Sequence, residues 1–221
     1  MRILTVDTSG RSIVGVVEAG ATFEEIACER SADARRHAES LAPMVERATG
    51  GNRPDMIVAG TGPDAVVAAT GPAPFTGLRA GLVTARALAR AWDVPLYGVS
   101  SLEALALGGA MRGLNDILAV IDARRRELFV LRARPLGHDD VAVVSGPEIA
   151  ARAGLHAGPE TAIVTPDPSL CPELDGALAV ECRPEYLARR ALALLARKEA
   201  GEAVRLDTEP QYLRRPDVHG A

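Results

Sequence analysis

Two aspartates stand where an apolar stretch gives way to a turn: Asp7 in Val6-Asp7-Thr8-Ser9 and Asp122 in Ile121-Asp122-Ala123-Arg124. A carboxylate at a strand end, with hydroxyls beside it, can hold magnesium and phosphate across a cleft, as a small ATPase or kinase requires. The same residues serve equally as polar strand ends whose carboxylates satisfy turn N–H groups. A nuclease of the ribonuclease-H type needs several carboxylates converging on two metal ions about 4 Å apart. Beyond Asp7, the helix after the third strand offers only Glu39 and Glu46, and no aspartate ends the stretch Val66 to Thr70. His37, His138, His156 and His219 include no His-x-x-x-His pair, so no metal-ligand set is predicted. A Walker A motif is absent and no glycine-rich adenosine segment is evident in the second half, so ATP turnover by this chain alone is not expected. Cys28, Cys171 and Cys182 are scattered and odd in number, which indicates neither a zinc site nor a disulfide framework. The densest basic run, Arg124-Arg125-Arg126 with Arg132 and Arg134 nearby, is a solvated hairpin tip or a phosphate contact.

The chain that must position these groups has 221 residues, 48% of them hydrophobic, enough for a real core and against wholesale disorder. Only 3% are aromatic and the net charge is −4, so the core is aliphatic and a general nucleic-acid binder is not indicated. Met1 leads directly into the strand Ile3 to Val6, with no signal-peptide pattern and no apolar run long enough to span a membrane. A cytoplasmic location is therefore expected.

Ile3 to Val6 and Ser12 to Val17 form a hairpin, Glu25 to Glu29 a third strand, and a helix with Leu41, Met44 and Val45 on one face starts near Ser40 or Leu41, because Pro43 suits only a first turn. The segment 54–63 nearly repeats as 63–72, and the second copy, Ala65 to Thr70, is the better strand. It runs into Gly71-Pro72-Ala73-Pro74-Phe75-Thr76-Gly77-Leu78-Arg79, a turn that launches a helix to about Trp92, with Thr76 as a candidate cap. Gly77, Gly81, Ala85 and Ala89 recur every fourth residue, a small-residue row that lets another backbone approach closely. Arg79, Val83, Arg86 and Arg90 make a second stripe. Leu96 to Val99 is a strand and Leu102 to Met111 a helix. The first half thus reads β-β-β-α-β-α-β-α, an α/β pattern that fits a ribonuclease-H-like sheet. Ile117 to Arg124 and Glu127 to Arg134 open a second half that echoes the first. Val141 to Val144 is a strand, Pro147 to Ala153 a short helix, Ala162 to Thr165 and Leu178 to Glu181 strands, and Pro184 to Ala200 a long helix. The tail from Pro210 to Pro216 is extended.

The opening Ile3 to Ser9, the helix entry His37-Ala38-Glu39, the Gly71 to Arg79 block, Gly98-Val99-Ser100-Ser101-Leu102, Ile121 to Arg124 and the tail Tyr212-Leu213-Arg214 together resemble the bacterial TsaB family. Two departures stand out: the family usually has Gly-Pro-Gly where this chain has Gly71-Pro72-Ala73, and residues 49–63 fit its spacing poorly. The resemblance implies two ribonuclease-H-like halves of the sugar-kinase/Hsp70/actin type with the second domain reduced, divided as 1–105 and 106–221. It implies a non-catalytic scaffold subunit for making threonylcarbamoyladenosine in tRNA, beside the anticodon. Its partners would be the catalytic paralogue TsaD and the ATPase TsaE, or a second copy of itself when alone. No resident cofactor is implied, and any ATP is expected at the assembled complex rather than on this chain. Asp7, Thr8, Ser9 and Asp122 would be a vestigial nucleotide site. His37, Leu41, Met44, Val45, Gly77, Leu78, Gly81, Leu82 and Ala85 would form the partner interface, and Arg124, Arg125 and Arg126 a tRNA contact. On that expectation Gly81→Leu blocks pairing while the chain stays folded. The rival reading is a stand-alone small ATPase or kinase of the same fold.

Overall fold

The structure, a computed structural model, describes residues 1–33, 36–51, 62–170, 174 and 176–214. Residues 52–61, most of the first copy of the near-repeat, lie outside this set, as do Cys171 and His219.

Short, mostly apolar strands build two sheets of the same topology. β1 (Arg2–Asp7), β2 (Ile13–Ala19) and β3 (Phe23–Arg30) form an antiparallel meander. β4 (Ala65–Ala69) and β5 (Leu96–Val99) extend it in parallel from the other side of β1, giving the order β3-β2-β1-β4-β5. β6 (Ile117–Arg124), β7 (Glu127–Pro135), β8 (Val141–Ala151), β9 (Ala162–Thr165) and β10 (Leu178–Ala179) repeat the plan as β8-β7-β6-β9-β10. The parallel strands need crossovers. In the first half these are α1 (His37–Ala48) and α2 (Phe75–Trp92), followed by α3 (Ser101–Ala110); α4 (Pro184–Glu199) closes the second half.

The period-two strand pattern divides the core into layers. Val66 and Ala68 of β4 face α1 and α2, together with Leu41, Met44, Leu78 and Leu82. Val67 and Ala69 face the opposite way, into a central core shared by both sheets with Leu102, Leu105, Leu131 and Leu187. The middle helices are exchanged between the halves: α3 packs mainly on β6 and β7, whereas α4 packs on strands of the first sheet. α3 also spans residue 105, so a cut between the halves there passes through a helix of the shared core. The outer face of the second sheet, with Val120, Leu128 and Val130, is covered among the described residues by loop side chains such as Leu155 and Leu174 rather than by helices. This is the reduced second half.

An ion network centred on buried Arg190 and Asp140 ties α4 in place. Arg190 bonds Glu103 of α3 at 2.6 Å and pairs with Asp140 before β8, and Arg197 reaches Asp140 at 3.3 Å. Arg189 pairs with Glu185 at 2.7 Å and with Asp139.

Three local expectations are corrected. α1 begins at His37, a turn earlier than Ser40, and carries Pro43 in its interior. His37 is buried and bonded to Ser12, which anchors the extra turn. The proline removes a bond only to Glu39, and both residues lie on the exposed face, where water can serve that carbonyl. α2 starts at Phe75 with Pro74 in the cap position and no side-chain cap, so Thr76 lies within the helix. The segment after Pro147 is strand, not helix: β8 continues to Ala151 across an irregular register at Arg132, with Gly146 at φ 87° beneath the Val130 carbonyl. Pairing of Glu148, Ile149, Ala150 and Ala151 with β7 outweighs the local helix signal. At the other Gly-Pro turn only Gly71 takes positive φ, 91°, so Ala73 stands where the family's glycine freedom is not needed.

Candidate functional site

The residues that could do chemistry end in different surroundings. Asp7, Thr8 and Ser9 are all buried. The Asp7 Oδ1 accepts bonds from the Ser9 backbone N–H at 2.8 Å and the Ser9 hydroxyl at 2.6 Å. Burial raises the Asp7 pKa, against the pull of those bonds and of nearby His37. α2 presses on this turn: a Cβ on Gly81 would lie 2.3 Å from Thr8 Oγ1, and one on Gly77 would lie 2.8 Å from the His37 ring. Asp122 instead sits at the β6–β7 hairpin, bonded to Arg152 at 2.6 Å and to the Arg124 backbone N–H at 2.9 Å. Among the described residues no three His, Cys, Asp or Glu side chains come together as a metal site. Burial, first among several causes, pushes the Cys28 thiol up to about 11 and the Cys182 thiol higher still, so neither is a ready nucleophile.

The side chains expected at a partner interface turn inward. Leu41, Met44, Val45, Leu78, Leu82 and Ala85 are buried in the layer between the helices and the first sheet. His37, Gly77 and Gly81 form the contact of α1 and α2 with the first turn. The small-residue row does permit a close approach, but the chain's own β1–β2 turn makes it. Gly81→Leu would have to displace buried Thr8, so it is not a neutral probe of pairing. The faces of these helices open to a partner carry Ala38, Ala42 and Pro43 on α1 and Val83, Ala87 and Arg90 on α2, whereas Arg79 and Arg86 lie toward Phe75 and the tail.

The chain's tail completes a second region that the linear reading missed. Leu206 accepts a bond from the Gly98 N–H at 2.8 Å, on the free edge of β5. Gln211 donates its backbone N–H to Thr70 at 2.9 Å and reaches Ser100 Oγ with its side chain at 3.3 Å. Arg86 of α2 grips Thr208 at 2.8 Å. The strap delivers Tyr212 to Phe75 at the start of α2, ring centroids 4.9 Å apart, with the Arg79 guanidinium 4.8 Å over the Phe75 ring. Beyond them Arg214 donates to the Ala123 carbonyl and pairs with Glu127, joining the tail to the second half. Phe75, Tyr212, Arg124, Arg125 and Arg214 border a crevice of about 170 Å³ between the halves. Arg126 does not line it. The signal available in the sequence was a scarce aromatic inside a polar tail.

The profile of the family described as TsaD, tRNA N6-adenosine threonylcarbamoyltransferase, matches residues 30–163. An uncharacterized protein of Mycobacterium tuberculosis is 35% identical over 220 residues, which cover 98% of this chain and 93% of that one. The tRNA threonylcarbamoyladenosine biosynthesis protein TsaB of Escherichia coli is 41% identical over 56 residues, 25% of this chain and 24% of that protein. The solved structure of YeaZ from Pseudomonas aeruginosa shares the fold, with a TM-score of 0.71 at 22% identity over 96% of this chain and 99% of that one.

Proposed function

Because this chain belongs to the TsaD family, with TsaB as the member it resembles, we propose that it is a non-catalytic subunit of a complex that makes threonylcarbamoyladenosine in tRNA. It pairs with a TsaD-type catalytic chain, a TsaE-type ATPase joins the pair, and the complex works in the cytoplasm. Alone, the chain forms a homodimer. The pairing surface is the outer face of α1 and α2, and the residues predicted for it, from His37 to Ala85, set its shape from beneath.

The observation that carries this reading is the filled first turn. The fold is retained over both halves, yet the Asp7 carboxylate is occupied by Ser9, and Thr8 is covered by Gly81 of α2. Asp122 is occupied by Arg152 and Arg124. The two carboxylates that would face a nucleotide are already bonded within the chain, and Thr8 is walled off by α2, which favours a scaffold over a stand-alone ATPase. Among the described residues no helix is long and apolar enough to cross a membrane.

The test is sedimentation of this chain alone and mixed with the same organism's TsaD-type chain, followed by tRNA threonylcarbamoylation assays. A heavier mixed species is expected, with modification only when both chains are present. Val83→Glu, on the exposed face of α2, should abolish the mixed species without unfolding the chain. No mixed species even with the ATPase and ATP added, or ATP hydrolysis by this chain alone, overturns the proposal and brings forward the lone-ATPase reading.

A further inference from the structure

We propose that Phe75 and Tyr212, with the arginines on either side of them, form a platform for a segment of single-stranded RNA. Aromatics are few in this chain, and Phe129, Tyr186 and Trp92 are buried in its cores. Tyr212 is different: the tail carries it across the edge of the first sheet to stack on Phe75, yet it stays 38% exposed. A hollow lies on each side of the pair. Arg124, Arg125 and Arg214 line one, and Arg79 and Arg86 the other. Five guanidinium groups around one aromatic stack are a local concentration in a chain of net charge −4. Carboxylates are present as well: Glu209 lies 4.0 Å from Arg86, Asp122 is 3.4 Å from Arg124, and Glu127 pairs with Arg214. These carboxylates hold the guanidinium groups in place beside the rings.

The backbone of the hairpin tip adds an independent argument. Arg124, Arg125 and Arg126 all take left-handed φ, 66°, 54° and 61°. Such positions favour glycine, asparagine or aspartate. The tip carries arginine at each, and it is held by the Arg152 N–H donating to the Arg126 carbonyl and by the Arg152–Asp122 pair. Cationic side chains stand here against the preference of the backbone.

An exposed ring beside guanidinium groups suits unpaired bases joined by phosphates: Tyr212, backed by Phe75, stacks on a base face and the arginines meet the phosphates. A duplex offers no open base face, and an acidic peptide would use the arginines but not the rings. The choice of RNA over other single strands rests on the reading above, a subunit of a tRNA-modifying complex.

The test is fluorescence anisotropy with a labelled 12-nucleotide single-stranded RNA, on the chain alone and mixed with its TsaD-type partner. Tyr212→Ala should weaken binding about tenfold, and Tyr212→Phe should restore it. Arg125→Ala should weaken binding and lower the slope of log affinity against log salt by about 0.7. A duplex of the same sequence should bind at least about tenfold more weakly. Urea midpoints of the variants, matching that of the unaltered chain, exclude a folding defect. Equal binding by the unaltered chain and Tyr212→Ala, equal binding of the duplex, equal displacement by polyglutamate, or no RNA binding by either the chain or the mixture overturns the platform. Pairing with the partner is read separately by sedimentation. A mixed species without Tyr212-dependent RNA binding sinks the platform alone, and Tyr212-dependent binding without a mixed species sinks the scaffold reading alone.

Discussion

Replacing Gly81 by alanine probes whether α2 is held close by its own first turn. A Cβ at this position would stand 2.3 Å from Thr8 Oγ1, 3.0 Å from its Cγ2 and 3.2 Å from its Cβ. Thr8 is buried and cannot swing into solvent. Alanine gains about 1 kcal/mol over glycine in a helix interior, while forced overpacking costs about 1–3 kcal/mol. The expected net effect is a destabilisation of about 1 kcal/mol. Thr8→Ala removes the two nearest atoms. It also removes a buried hydroxyl that finds no hydrogen-bond partner among the described residues, an arrangement costing about 1–3 kcal/mol. Against that stands a lost methyl worth about 0.8 kcal/mol. Thr8→Ala should therefore be close to neutral or stabilising, and the remaining 3.2 Å approach needs a shift of only a few tenths of an ångström. In that background Gly81→Ala keeps its helical gain and loses most of the clash, so the pair should couple by about 1–2 kcal/mol in favour of the double variant. Urea unfolding of the four proteins measures this. If Gly81→Ala shifts stability equally in both backgrounds, within about 0.3 kcal/mol, the two residues do not compete for space and the reasoning fails.

Arg190→Ala strips buried Asp140 and half-buried Glu103 of their guanidinium partner and should destabilise by about 3–5 kcal/mol in urea, with a loss below about 1 kcal/mol refuting the network. Hydrogen bonds from Arg132, and then Arg134, hold the Asp116 carboxyl down to about 2, so its contribution is fully present above the ordinary carboxylate range of about 4 and is lost as pH falls below it. Arg132→Met should flatten that acid limb of a stability–pH profile, and an unchanged limb would assign the loss to other groups. Asp7 has the opposite sign: its pKa is raised by burial, so the folded chain holds the proton more tightly and stability falls as pH rises above the unfolded value. Asp7→Asn should gain on the unaltered protein between pH 4 and 7 in urea titrations. A constant difference across that range would show that Asp7 is folded around its charged form.

Composition and periodicity were enough to find the strands and helices of the first half in order, because each has a strong local signal. Val66 to Ala69 is continuously apolar, and α2 has a clear apolar face ended by Asp93 in a left-handed cap. The two strand-Asp-hairpin openings made the internal duplication legible, and the sheets repeat one order. Local signals failed where distant pairing decides. Pro147 looks like a helix start until β7 supplies partners for the residues beyond it.

The candidate site divides along the same line. Sequence alone determined which side chains were available: the small residues of α2, the aspartates at strand ends and the arginine run at a hairpin. Only the tertiary structure decided what each would meet. Gly77 and Gly81 admit a close neighbour whatever its identity, and spacing does not say whether that neighbour belongs to a partner or to Thr8 and His37 of the same chain. Tyr212 lies far along the chain from Phe75, and the bonds from Gly98 to Leu206 and from Gln211 to Thr70 lay the tail along the first sheet and bring the rings together. A side chain's type is a property of one position, whereas its burial, its partners and its charge state depend on which other segments the core draws against it.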